Sequence, residues 1–320
     1  MVRNHLITSL EIFKSSGLTD IPKTTRCNIL KTVGVLWRAD SCLEGVPELF
    51  QKLKNEKKNV FIISNNATKD IQKYVVKCNK MNITIDKNYI ISSGFITRKY
   101  LLSNLKLKDK VYVIGSEFFM QSIQSDGFDV INIIDENPLP DESYYVEGKY
   151  AIDASSVFAV IISLDLALTY KKIATACYII KNNANCLYIV TNTDTSFPMS
   201  NGNDLPGAGS LFASIKENIN ICGDKPYIEI GKPYTHMFEY VYEQFNLKNS
   251  RVLMVGDRLE TDILFANNCK IDSLLVLTGI TNETNYDSIL KKYKDKQKDI
   301  KPTYILKSLV KTEKKNILNL

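Results

Sequence analysis

Several signals are missing from this chain of 320 residues, and each absence removes a class of function. No apolar run approaches the roughly 18 to 20 residues that a membrane-spanning helix needs, which argues against an integral membrane protein. The first twenty residues lack the basic, apolar and small-residue succession of a secretory leader. The seven cysteines are scattered and form no Cys-x-x-Cys pair, so they read as reduced thiols of a cytoplasmic protein. Only two histidines, His5 and His236, are present, too few for a histidine-based metal centre. His236 reads as a surface or capping residue. No Gly-x-Gly-x-x-Gly follows the first strand, and Gly207-Ala208-Gly209 lacks the third glycine and follows a long loop, which argues against a dinucleotide-dependent oxidoreductase. Lysine and arginine total 41 against 35 acids, a diffuse excess of +6 with no contiguous basic stripe. Nucleic acid is therefore not an expected partner. The lysine-dense stretch 291–301 alternates with Asp295 and Asp299 and reads as a solvated face.

What the chain does carry is an alternation of short apolar runs with helix-period segments, the pattern of a parallel α/β sheet. Strands are expected at 28–33, 60–64, 89–92, 111–115, 157–164, 187–191, 227–230, 251–255 and 273–277. Helices are expected at 70–80, 170–181, 210–217, 235–245 and 260–267. Two loops stand out, a polar one at 192–209 and an acidic one at 135–151. At 100–200 residues per domain the length suggests two domains. The expected division is a core of 1–96 and 206–320 with an inserted domain of 97–205, hinged at the glycines after Pro206.

Four segments carry chemistry. In Val255-Gly256-Asp257-Arg258-Leu259-Glu260-Thr261-Asp262 two acids flank a turn at the carboxyl end of a strand, where open α/β sheets bind ligands. Such a pair can converge on one Mg²⁺ or one ammonium; the plainer alternative is a helix cap with dipole-compensating acids. Lys232, set between Gly231 and Pro233 after a strand, suits a fixed phosphate charge, or is a surface lysine. Ser64, Asn65 and Asn66 offer hydroxyl, amide and loop N–H donors to phosphate oxygens, or form a polar turn. Gly34-Val35-Leu36-Trp37 reads as a tight turn bearing the only tryptophan.

Taken in order, these segments resemble the haloacid dehalogenase-like phosphatase superfamily, in the capped branch that includes phosphoglycolate and 4-nitrophenyl phosphatases. The resemblance runs from Gly34 to about Ile280 and includes Thr191-Asn192-Thr193-Asp194 and Pro206-Gly207-Ala208-Gly209-Ser210. It implies a Rossmann-like core with an inserted α/β cap of the C2 type. It also implies Mg²⁺ as cofactor, a small phosphorylated metabolite as ligand, and an aspartate nucleophile followed two residues later by an aspartate acid/base. Ser64, Asn65 and Lys232 would hold phosphate, Asp257 would bind the metal with support from Asp262, and the cap loop with Asn192 and Asp194 would select the substrate. Branch members often dimerise through the cap, which implies a possible homodimer here; residues 157–164 could supply apolar surface for it, although a buried central strand explains them at least as well.

The resemblance breaks at one place. The family's first motif reads Asp-x-Asp-Gly-Val-Leu-Trp, and here the two aspartates fall on Lys31 and Val33. A protonated lysine does not attack phosphorus and valine carries no proton to transfer. The family site holds four acids, one lysine and Mg²⁺, one net negative charge. Here Asp257 and Asp262 face Lys31 and Lys232, and the charges cancel without a metal. Lys31 is therefore expected to stand in the Mg²⁺ position, paired with Asp257, which makes metal binding doubtful. Two explanations stand side by side: a pseudophosphatase that binds a phospho-ligand or serves as a scaffold, or an Mg²⁺-dependent phosphatase whose segment before Gly34 is misread.

Overall fold

A computed structural model describes residues 25–38, 40–131, 152–198, 204–220, 225–294 and 300–309. The acidic loop at 135–151, His5, and the middle of the lysine-dense stretch lie outside these residues. The chain forms two compact units. One comprises residues 1–64, 71–91 and 232–320, the other 65–70 and 92–231.

The first unit is built on a six-stranded sheet. Its strands are β1 (Thr25–Lys31), β4 (Asn59–Ser64), β5 (Ile90–Ser92), β13 (Arg251–Gly256), β14 (Asp272–Val276) and β15 (Tyr304–Leu306), in the order β15-β14-β13-β1-β4-β5. β1 is central and runs parallel to both neighbours, with Ile29 opposite Met254 and Phe61. A sheet covered by helices on both faces needs strands that are apolar throughout, which is why Val60–Ile63 and Val252–Val255 are continuous apolar runs and wholly buried. A two-stranded hairpin, β2 (Trp37–Arg38) with β3 (Ser41–Cys42), follows β1. It seats Trp37 in the core with Leu49, Phe50 and Tyr74. Gly34 turns the chain into this hairpin at φ +82°, a left-handed conformation that glycine adopts without strain.

The second unit has its own five-stranded parallel sheet. It contains β6 (Lys110–Ile114), β7 (Asp129–Ile131), β8 (Val157–Ile162), β9 (Leu187–Val190) and β12 (Ile228–Glu229), in the order β12-β9-β8-β6-β7. β8 sits in the middle and is buried except for Phe158, so its apolar run is explained by the unit's own core. A small hairpin, β10 (Ser196–Pro198) with β11 (Asp204–Pro206), lies within the 192–209 segment.

The observed division differs from the expected one at both ends. The second unit begins at Ser92, because helix Ser93–Asn104 belongs to it. It ends at Gly231, because β12 adds to β9 and helix Ala208–Asn220 packs Phe212, Ile215 and Ile219 into its core. The glycines after Pro206 are not the boundary. A Cβ at Gly207 or Gly209 would lie 2.2 Å from the carbonyl oxygen of Asp194 or Thr193, so these residues are small to let two backbones touch. Among the described residues no helix is long and apolar enough to cross a membrane.

The central strand carries one blemish. Asn28 is buried, and its Nδ2 meets no hydrogen-bond partner among the described residues. An unmet buried donor costs about 1–3 kcal/mol. Asn28→Val, which puts a β-branched residue on a strand, is therefore expected to raise the unfolding free energy by about 1 kcal/mol, read from a urea midpoint that rises at unchanged slope.

Candidate active site

The charged residues singled out in the sequence meet at the carboxyl ends of β1 and β13. Lys31 is the last residue of β1, and Asp257 follows β13 directly. Lys31 Nζ lies 2.6 Å from Asp257 Oδ1 and 3.4 Å from Asp262 Oδ2. Lys232 Nζ lies 2.8 Å from Asp262 Oδ1. Asp262 Oδ2 also accepts the backbone N–H groups of Asp257 at 3.2 Å and Arg258 at 3.1 Å. Asp257 Oδ2 accepts the N–H of Ile280 at 2.9 Å. Asp257, Asp262 and Lys232 are each at most 2% exposed.

The local backbone is shaped for this crowding. Asp262 sits in a π-type turn, Leu259–Ile263, that opens the helical segment after β13 and points its carboxylate back toward the strand end. A Cβ on Gly256 would lie 2.1 Å from Asp262 Cβ, and one on Gly279 would lie 1.9 Å from Asp257 Oδ2. Only glycine admits both carboxylates. Arg38 donates from Nε and from a terminal nitrogen to the carbonyl of Thr278, whose hydroxyl donates to the Gly34 carbonyl at 2.6 Å. The turn after β1 is thereby tied to the loop after β14. Arg38, Thr278 and Gly279 carried no chemical signal in the sequence beyond a glycine placed just after a strand.

The electrostatics follow from burial and pairing. Burial alone would drive Lys31 to release its proton, but the Asp257 and Asp262 carboxylates outweigh it and hold the ammonium above the ordinary lysine range. Burial likewise works against the ionised Asp262, yet Lys232 and Lys31 prevail and bring it down to about 2. Lys31 and Asp262 are both charged at neutral pH.

These residues do not fit the Mg²⁺ that the family resemblance implies. The ammonium of Lys31 occupies the face of Asp257 that a cation would take, and charge rather than hydrogen-bond alignment holds it there. Asp262 is committed to two lysines and two amides. Among the described residues no three His, Cys, Asp or Glu side chains are grouped as metal ligands.

The remaining expected site residues fall elsewhere. Val33, at the acid/base position, is 43% exposed and offers no polar atom. The Ser64 hydroxyl lies 3.1 Å from the Tyr74 hydroxyl, a partner the sequence did not suggest. Asn66 Oδ1 accepts the Thr68 N–H and hydroxyl, so it is a turn-forming residue. In the second unit Asn65 Nδ2 donates to Asp194 Oδ2 at 3.2 Å, and Asn192 Nδ2 donates to the Asn65 carbonyl at 2.8 Å. The cap-loop asparagine and aspartate thus hold the residue expected to hold phosphate. His236 opens helix His236–Gln244 and faces Glu239 at 3.7 Å, in keeping with a surface role.

Asp262→Asn would take away the carboxylate that both Lys31 and Lys232 face. Breaking a buried ion pair from one side costs about 3–5 kcal/mol, the loss expected here in denaturant unfolding at neutral pH. Because Asp262 titrates lower in the folded than in the unfolded chain, its stabilisation is complete above the ordinary aspartate range. It is lost as pH falls through about 2, and that part of the acid limb should vanish in Asp262→Asn.

Known proteins share this arrangement of sequence and fold. A haloacid dehalogenase-like hydrolase profile matches residues 29–129, and a second profile of the same class matches 229–312. Phosphoglycolate phosphatase 2 of Arabidopsis thaliana is 34% identical over 298 residues, covering 92% of this chain and 94% of its own. The 4-nitrophenylphosphatase of Schizosaccharomyces pombe is 33% identical, covering 87% and 90%. The crystal structure of a 4-nitrophenylphosphatase from Thermotoga maritima superposes with a TM-score of 0.71 at 27% identity, covering 90% and 95%. The chain belongs to the haloacid dehalogenase-like hydrolases, in the capped branch of phosphoglycolate and 4-nitrophenyl phosphatases.

Proposed function

We propose that this chain binds a small phosphorylated metabolite without a metal and without hydrolysing it. The observation that carries the reading is the 2.6 Å ion pair between Lys31 and Asp257. Hydrolysis through a phospho-enzyme needs an oxygen nucleophile with an available lone pair at the end of β1, and the protonated Lys31 has none. Protonation of the leaving oxygen needs an acid two residues on, and Val33 supplies none. What persists is cationic. Lys31 and Lys232 bring two ammonium groups to the strand ends, a fixed positive charge that suits a phosphate. Both are fixed by Asp262, so their positive ends are set in place before a ligand arrives. The Ser64 hydroxyl ends the neighbouring strand β4.

A second reading is an Mg²⁺-dependent phosphomonoester hydrolase whose segment before Gly34 has been misread. The unmet amide of Asn28 in the central strand favours it. Sequencing the transcript across codons 25–35 decides between the two.

For the chain as written, titration calorimetry with inorganic phosphate and with phosphoglycolate is expected to give the same affinity with Mg²⁺ or with EDTA. No 4-nitrophenol should be released from 4-nitrophenyl phosphate. The double variant Lys31→Asp/Val33→Asp is expected to gain Mg²⁺-dependent turnover of at least about 10⁴-fold over the parent, the typical worth of a covalent nucleophile. Turnover by the parent, or phosphate binding abolished by EDTA, would overturn the reading.

A further inference from the structure

Glu229 is the last residue of the edge strand β12 in the second unit, and it is buried. A buried carboxyl group is rare unless something holds it. Here Oε1 accepts the Thr193 hydroxyl at 2.5 Å. The next residue, Asp194, is bound on three sides. Its Oδ2 accepts Asn65 Nδ2 at 3.2 Å, its N–H donates to Asn192 Oδ1 at 3.1 Å, and its carbonyl accepts the Gly209 N–H at 2.9 Å. Asn192 reaches back to the Asn65 carbonyl, which also accepts the Ser93 hydroxyl at 2.6 Å. Asn65 is thus gripped at its amide and its carbonyl by one turn, residues 192–194, and that turn rests on Glu229. Close contact with Gly207 and Gly209 leaves the turn's backbone little room to shift, so a change in charge beneath it falls on its side chains.

We propose that Glu229 is a positioning residue for Asn65, seating Thr193 so that the adjacent Asp194 side chain can orient the Asn65 amide. The charged groups that face Glu229 are Asp194, on the turn, and Lys216, on helix Ala208–Asn220. Burial foremost pushes the Glu229 carboxyl up, to about 7, with Asp194 adding to it, while the Thr193 hydroxyl and Lys216 pull the other way. Below that point a neutral acid sits beside one carboxylate. Above it two carboxylates share a buried turn, an arrangement that repels, and the grip on Asn65 loosens. Asn65 directly follows Ser64, so its use in holding phosphate rests on the function proposed above. Its coupling to Glu229 does not.

The test is a pH titration of the full chain without ligand, following the Asn65 side-chain amide by ¹⁵N NMR and identifying it by its loss in Asn65→Asp. The resonance is expected to move with a midpoint near 7. In Glu229→Gln, which keeps the hydrogen-bonding shape without the charge, it should stay at its acid-side position at every pH. Thr193→Val, which removes a bond that favours ionisation, should move the midpoint upward. A resonance that does not titrate, or titrates identically in Glu229→Gln, overturns the proposal. Inorganic phosphate affinity is measured alongside: it should fall several-fold above neutrality in the parent and stay flat in Glu229→Gln. If phosphate fails to bind the parent at any pH, the proposed function fails, while the amide titration still decides the role of Glu229.

Discussion

The first unit depends on how one carboxylate is surrounded. Asp262 meets Lys232 on one oxygen, and Lys31 with two backbone amides on the other. At 2.8 Å and an effective dielectric near 20, one such pair attracts by about 6 kcal/mol. Taking each ion out of water costs several kcal/mol. The terms are of one size, so the cluster is tolerable only when every charge has its partner. Four groups, two of each sign, meet that condition. A divalent cation added to them would face an ammonium 2.6 Å from the oxygen it needs. Loss of any one member strands another in a place without water. The geometry of the strand ends and the glycines that admit the carboxylates follow from this balance.

Much of that was legible in the sequence, because the relevant residues sit within one or two positions of an apolar run. Asp257 after Val255-Gly256, Lys232 after Ile230-Gly231 and Lys31 before Gly34 could each be assigned to a strand end. A parallel sheet brings its strand ends together, so the four charges converge once the sheet order is granted. The strands themselves were legible because both faces are covered, which demands uninterrupted runs such as Val157–Ile162.

What escaped the sequence depends on long-range pairing. Ile228–Glu229 is two residues long, and nothing local says that it joins Leu187–Val190 and not the other sheet. The domain boundary moved with that strand. Helix Ser93–Asn104 buries Ser93, Gly94 and Thr97, so the apolar stripe by which a helix is recognised is broken. Glu229 gave no sign of its role, because an acid at the end of a short strand resembles any solvated edge residue until its burial is known. The same holds for Gly207 and Gly209. Glycine suggests freedom of backbone, whereas here its use is the space a side chain would have filled.

The retained residues are the main argument for a working phosphatase, and the structure gives them another reason to persist. A protein released from catalysis would be free to lose Asp257, Asp262 and Lys232 only if nothing else needed them. With an ammonium at position 31, largely shielded from water, both acids become its counter-ions, and Lys232 in turn balances the second of them. Removing either acid is then penalised by the fold itself, whether or not a phosphoryl group is ever transferred. Position 33 shows the converse. It is 43% exposed, so a change of side chain there costs the fold little. The pattern of kept and lost residues therefore tracks burial and charge balance. Their persistence is what the electrostatics of this chain require, and it carries no independent weight in favour of turnover.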